Sequence, residues 1–167
     1  MAKSNVRLNY GELQKLKERI EKLGEPTQMD QFLTSCAKEL AARLLAKVIK
    51  NTLPGKYPEG SGKVGGTLRR GWTSETHEEG VSGSGSGKNA KAWANSRTVI
   101  REGSDYVIEI INPVEYASYV EFGHRTRNHK GWIEGKFMLT ISEDEIRKSA
   151  PRILEKKLET YLKGCFK

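Results

Sequence analysis

The sequence predicts an α+β domain: a small antiparallel sheet packed against a long core helix and a C-terminal amphipathic helix. Three observations predict it. Apolar residues recur at helical spacing from Met29 to Val48 and again from Ile146 to Leu162. Between them, the β-forming runs Thr98–Arg101 and Tyr106–Ile111 flank Gly103-Ser104, the pattern of a hairpin. With 167 residues, the chain is also long enough to bury a core without metal or disulfide support.

In chain order, Leu13, Leu16, Ile20 and Leu23 predict a first helix over about 9–23. Gly24-Glu25-Pro26 stops it, since Gly suits a C-terminal cap and Pro cannot continue the helix. Thr27 is the expected N-cap of the second helix, with Asp30 facing the helix dipole. Met29, Phe32, Leu33, Cys36, Leu40, Leu44, Leu45 and Val48, helped by Ala37 and Ala41, make this the core helix. It ends at Leu53-Pro54-Gly55, and 56–66 reads as a loop.

Trp72 and the threonines around it predict a strand over Thr73–His77. The Gly/Ser repeat then predicts a long mobile loop over 80–96, where little apolar surface offsets chain entropy. In the hairpin, Tyr106, Ile108 and Ile110 share one face, and the face with Glu109 is the less buried one. The final helix is expected to begin near Ser142, with Glu145 completing a capping box. Pro151 either kinks it or opens a second segment capped by Ser149. Residues 1–26 form an N-terminal helix or arm, and 27–167 one α+β domain.

Twenty-nine basic against 21 acidic residues give a net charge of +8. That suits nucleic acid, an acidic protein partner or plain solvation, and interspersed acids keep charge from deciding. Cys36 and Cys165 each fall among apolar residues and read as reduced, buried thiols of a cytoplasmically made protein. No apolar run follows the first basic residues as in a signal peptide, and none approaches bilayer length.

Four motifs invite chemical readings. Gly83-Ser84-Gly85-Ser86-Gly87-Lys88 imitates a phosphate loop, but Ser82 stands where its first Gly belongs and Asn89 replaces the Ser or Thr. His124 and His129, with Glu121, offer three metal ligands, yet Arg125 and Arg127 repel a dication. Glu115, Glu121 and Glu134 near His124 could do acid–base work, but such carboxylates more often pair with arginine. Arg69, Arg70, Lys88, Lys91, Arg97 and Arg101, interleaved with Trp72 and Trp93, could stack bases and neutralise phosphates. No helix-turn-helix, zinc finger or RNP-like strand accompanies them, so a basic rim facing acidic protein is the better reading.

The segment Tyr116–Leu139 gathers Tyr116, Tyr119, Phe122 and Trp132 with glycines and a basic cluster. Three tracts, T-L-R-R-G-W (67–72), N-P-V-E-Y-A-S-Y-V-E-F-G-H-R-T (112–126) and G-W-I-E-G-K-F-M-L (131–139), resemble a family of tailed-bacteriophage neck and tail proteins. Its members are tail components or tail-completion proteins. The likeness in arrangement runs from about Met29 onward; the first helix and the Gly/Ser loop look particular to this chain.

The resemblance implies a structural virion protein at the head–tail junction or tail end, with no catalytic residue, cofactor or metal. It implies a homo-oligomeric ring, a hexamer, that joins tail to connector. Further partners would be neck, connector, terminator or tail-tube proteins; no membrane is involved, and DNA in the ring lumen is an allowed contact but not a required one. A tail terminator subunit is the nearest alternative, and a DNA-binding module using the basic centre is the alternative of another class. The expected interface is Tyr119, Glu121, Phe122, His124, Arg125, Thr126, Arg127, His129, Lys130 and Trp132, with Arg69 and Arg70. The aromatics, with Phe137 and Met138, are expected to anchor this turn inward while His124–Lys130 project.

Overall fold

Helix α1 spans Tyr10–Leu23 and α2 spans Pro26–Asn51 in a computed structural model that describes residues 10–62, 65–82 and 89–165. The Gly24 amide closes α1 by donating to the Ile20 and Glu21 carbonyls at 3.2 and 3.1 Å. Helix α2 starts two residues earlier than Thr27 as N-cap would place it. Pro26 takes the first helical position, where its fixed φ fits and its missing N–H costs nothing. Glu25 is the cap residue, and Thr27 lies inside the first turn. Cys36, Ala41, Ala42, Leu45, Val48 and Ile49 form the buried stripe, while Met29 and Leu33 stay exposed at the less covered end. Thr52 ends α2 by donating its amide and hydroxyl to the Val48 carbonyl, at 2.9 and 2.7 Å.

Residues 67–96 depart most from expectation. The strand expected over Thr73–His77 does not form: residues 73–76 are turn and bend between two short helices, α3 (Thr67–Gly71) and α4 (His77–Ser82). Trp72 is buried beneath them, and its indole N–H donates to Thr52 Oγ1 at 2.8 Å. The Thr73 and Ser74 hydroxyls both donate back to the Arg70 carbonyl, at 3.2 and 3.1 Å. Such local bonds compete with a ladder and win here. The expected loop is also partly ordered: α5 covers Ala90–Ser96, with Asn89 Oδ1 accepting the Ala92 amide at 3.0 Å as N-cap. Ala94 packs fully buried on Ala41 and Ala42 of α2, small residues that let two helices approach closely. Residues 83–88, the phosphate-loop imitation, lie outside the described residues.

The hairpin forms as β1 (Ile100–Glu102) and β2 (Asp105–Val107), turning through Gly103 at φ +63°. Its ladder is shorter than predicted, and 108–114 continues without one. The alternation holds: Tyr106, Ile108 and Ile110 are half-buried toward α2, and Val107, Glu109 and Ile111 are exposed. The Tyr106 hydroxyl donates to Asp30 Oδ1 on α2 at 2.7 Å.

After α6 (Ala117–Phe122), strands β3 (Gly123–Arg125) and β4 (Trp132–Glu134) make a second antiparallel ribbon, so the fold is α+β with two small sheets. Helix α7 runs Met138–Cys165, beginning four residues before Ser142. Ser142 is not a cap but a buried joint: its hydroxyl donates to the Met138 carbonyl at 2.6 Å and accepts from Asn51 Nδ2 at 2.9 Å. Ser149 likewise bonds back to Glu145 and Ile146, and α7 continues through Pro151. Helices α2 and α7 meet through stacked Phe32 and Tyr161 rings 4.6 Å apart and the Lys157 ammonium on the Ser35 carbonyl at 2.9 Å. The core joins Leu45, Val48, Ile49, Leu68, Trp72, Val114 and Met138.

Candidate functional site

Tyr116–Leu139 becomes α6, the β3–β4 ribbon and the first residues of α7, and one carboxylate ties them together. Glu121 is 6% exposed. Its Oε2 accepts the Leu139 amide at 3.0 Å, and Oε1 accepts the Thr140 amide and hydroxyl, both at 2.9 Å. A helix leaves its first amides unpaired and carries positive charge at that end, so a buried carboxylate there satisfies both. The backbone closes the same joint: Lys136 and Phe137 amides donate to the Val120 and Glu121 carbonyls at 2.7 and 3.0 Å. Gly135 passes so near α6 that a Cβ there would lie 2.6 Å from the Phe122 carbonyl carbon.

The ribbon's tip is braced from within. The Thr126 amide donates to the Gly131 carbonyl at 3.0 Å, and its hydroxyl accepts the Gly131 amide at 3.0 Å and donates to Asn128 Oδ1 at 2.7 Å. His129 sits at φ +56°, a conformation that side chains seldom adopt. Thr126 therefore shapes the turn, while Arg125, Arg127 and Lys130 stand exposed and make no ion pair among the described residues.

The aromatics face outward, contrary to expectation. Phe122 is 62% and Trp132 60% exposed, with Tyr119, Ile133 and Phe137 exposed beside them. Only Met138 of the pair expected to anchor the turn is buried. His124 packs edge-on to Tyr119, ring centroids 5.9 Å apart. Anchoring falls to Glu121 because helix amides demand an acceptor more strongly than a ring at the surface demands cover. Sequence reading missed that role, whose signal was a Glu just ahead of a glycine turn and a helix start. It also missed Ile133 and Phe137 as outward residues.

The other predicted members separate. Arg70 is half-buried and clamps α3 to α4, donating Nε to the Gly80 carbonyl at 3.0 Å and an Nη to Gly65 at 3.2 Å. Arg69 is exposed. Two further arginines of the basic centre are spent internally: Arg97 pairs with Glu75 at 2.9 Å and covers the Trp93 ring at 4.7 Å, and Arg101 lies 3.6 Å from Asp30. Trp72 is inaccessible to a base. With both Glu121 oxygens committed to α7, that carboxylate cannot join His124 and His129 on a metal, and no metal-binding group of three His, Cys, Asp or Glu occurs among the described residues. No described helix is long and apolar enough to cross a membrane.

A sequence profile described as "Bacteriophage HK97-gp10, putative tail-component" matches residues 14–123, from α1 to the start of β3. The chain belongs to this HK97-gp10-like family of phage tail components. The match takes in most of α1, which had looked particular to this chain, and it stops before the ribbon tip and α7. Neither curated proteins nor solved structures furnish a match. As a phage tail component, the protein has its place in the virion's tail.

Proposed function

We propose that this tail component is a ring-forming subunit at the head–tail junction, joining the tail to the connector, with the α6–β3–β4 arm as a contact surface. One observation carries the reading: a rigid base buried at Glu121 presents exposed Phe122 and Trp132 beside three cations without ion pairs among the described residues. Aromatic residues and arginine are the groups that dominate protein interfaces, and a fixed base spares the entropy of ordering them. In this reading Glu121 and Thr126 support the surface, while Tyr119, Phe122, Arg125, Arg127, Lys130 and Trp132 touch the partner. The chain performs no catalytic step and carries no cofactor. The subunit is made in the bacterial host and taken into the virion on assembly.

Supplying particles that lack the subunit with purified chain tests this. Trp132→Ala combined with Arg125→Glu and Arg127→Glu is expected to reduce joined, tail-bearing particles at least tenfold, counted by electron microscopy. Wild-type joining by that variant would overturn the proposal.

A further inference from the structure

The β1–β2 ribbon has an outward face that stays exposed among the described residues. In its register Ile100 opposes Val107 and Glu102 opposes Asp105, so these four share one face, continued along the chain by Glu109 and Ile111. All six are exposed, Ile100 at 55% and Ile111 at 57%. The three carboxylates make no ion pair among the described residues. Glu102 directly opposite Asp105 sets like charges side by side, a cost that the isolated subunit bears. The opposite face, with Tyr106, Ile108 and Ile110, is the one that packs inward.

This face is the chemical complement of the α6–β3–β4 arm. One offers aliphatic residues among unpaired carboxylates; the other offers aromatics among unpaired cations. Arg125 and Trp132 are cross-strand partners and project from the same side of their ribbon. Beside Ile100, Glu109 and Ile111 opens a cavity of about 370 Å³, also lined by Trp93 and Arg97. Trp93 Nε1 and Arg97 Nε are themselves buried with no hydrogen-bond partner among the described residues. A cavity of this size takes one aromatic side chain with room to spare.

We infer that the outward face of β1–β2 is the receptor for the β3–β4 arm of a second copy of this chain, with Trp132 entering the cavity and Arg125, Arg127 and Lys130 meeting Glu102, Asp105 and Glu109. Unlike faces of identical subunits then join head to tail, the contact that closes rings. Charge pairing selects the partner face and speeds encounter, while the aromatic in its pocket holds it. The inference rests on the ring reading above and names the surface that the arm engages.

An equal mixture of heavy-isotope-labelled and unlabelled chain, treated with a zero-length carbodiimide, tests the contact by mass spectrometry. Mixed-isotope links from the Lys130 amine to Glu102, Asp105 or Glu109 are expected. Mixed links from Lys130 only to other carboxylates would overturn this inference and leave a ring built another way. No mixed links and no association in sedimentation would overturn both. Charge reversal supplies the second measurement. Arg125→Glu with Arg127→Glu, or Glu102→Lys with Glu109→Lys, should each weaken self-association roughly tenfold or more, and the fourfold swap should recover most of it. A swap no better than its halves, with circular dichroism unchanged, would refute the pairing.

Discussion

Trp72 and Trp132 carry the same side chain to opposite ends. Trp72 sits in a run of Thr, Arg, Gly and Ser that looks like surface, yet it is 4% exposed and hydrogen-bonded to Thr52. Trp132 sits in a tract dense with aromatics that looks like core, yet it stands exposed on a ribbon held by a buried glutamate. The difference lies in what each neighbourhood can offer. Around Trp72, α2 supplies Val48, Ile49 and a hydroxyl acceptor, so both ring and N–H are satisfied. Around Trp132 no layer covers the indole among the described residues, and two three-residue strands cannot bury it by themselves.

The largest effect should come from truncating the two indoles in turn. Trp72→Ala removes a buried ring and leaves a cavity, which costs about 3–5 kcal/mol. Trp132→Ala should change monomer stability by less than about 0.5 kcal/mol, as exposed positions do. Urea unfolding at low protein concentration separates the two, and equal losses would break the contrast.

The next effect concerns the joint rather than the rings. Glu121→Ala strips acceptors from the Leu139 and Thr140 amides and should cost about 2 kcal/mol. Glu134→Ala, an exposed carboxylate thirteen residues on, should cost almost nothing. Hydrogen exchange gives the sharper reading: the Leu139 and Thr140 amides should exchange faster in Glu121→Ala while Leu45 and Val48 amides hold. Unchanged exchange at 139–140 would remove Glu121 from its place at the head of α7.

These contrasts mark what a single sequence can display. Helices α2 and α7 and the hairpin were legible because their signals are periodic: apolar residues at helical spacing, or alternating about a glycine turn. Helices α3 to α5 were not, since five to seven residues hold too few turns to show a period and their ordering comes from partners, α5 from α2 and α4 from α3. Ala94 has no patterned signal at all, because a small residue is buried only by what approaches it. The start of α7 was misplaced for a related reason. Its N-terminal acceptor comes from Glu121, seventeen residues before the first helical turn, while Ser142 and Glu145 imitate a local capping box. The candidate surface was legible as a cluster of residue types, but which members face outward depends on the absence of a packing layer that no local pattern encodes.

Tyr106 is the intermediate case, a half-buried ring whose hydroxyl is engaged, and it makes the smallest prediction. Its hydroxyl donates to Asp30, and that bond, with some desolvation and the nearby carboxylate charge, raises its pKa above the ordinary value of about 10. Ionisation would destroy the donor and set phenolate against carboxylate, so the folded chain holds the proton longer than the unfolded one. The bond's contribution to stability is therefore whole below about pH 10 and disappears as pH rises through the raised folded-state value. In an ultraviolet titration, the component lost in Tyr106→Phe should be the late one, and Asp30→Asn should bring it back toward the other tyrosines. The same Asp30→Asn change should leave Trp132 fluorescence untouched, because the inner face of β1–β2 and the outer arm share no element. If Asp30→Asn left the tyrosine titration unmoved, the hydroxyl would belong with Trp132, on a ring facing solvent, rather than with Trp72.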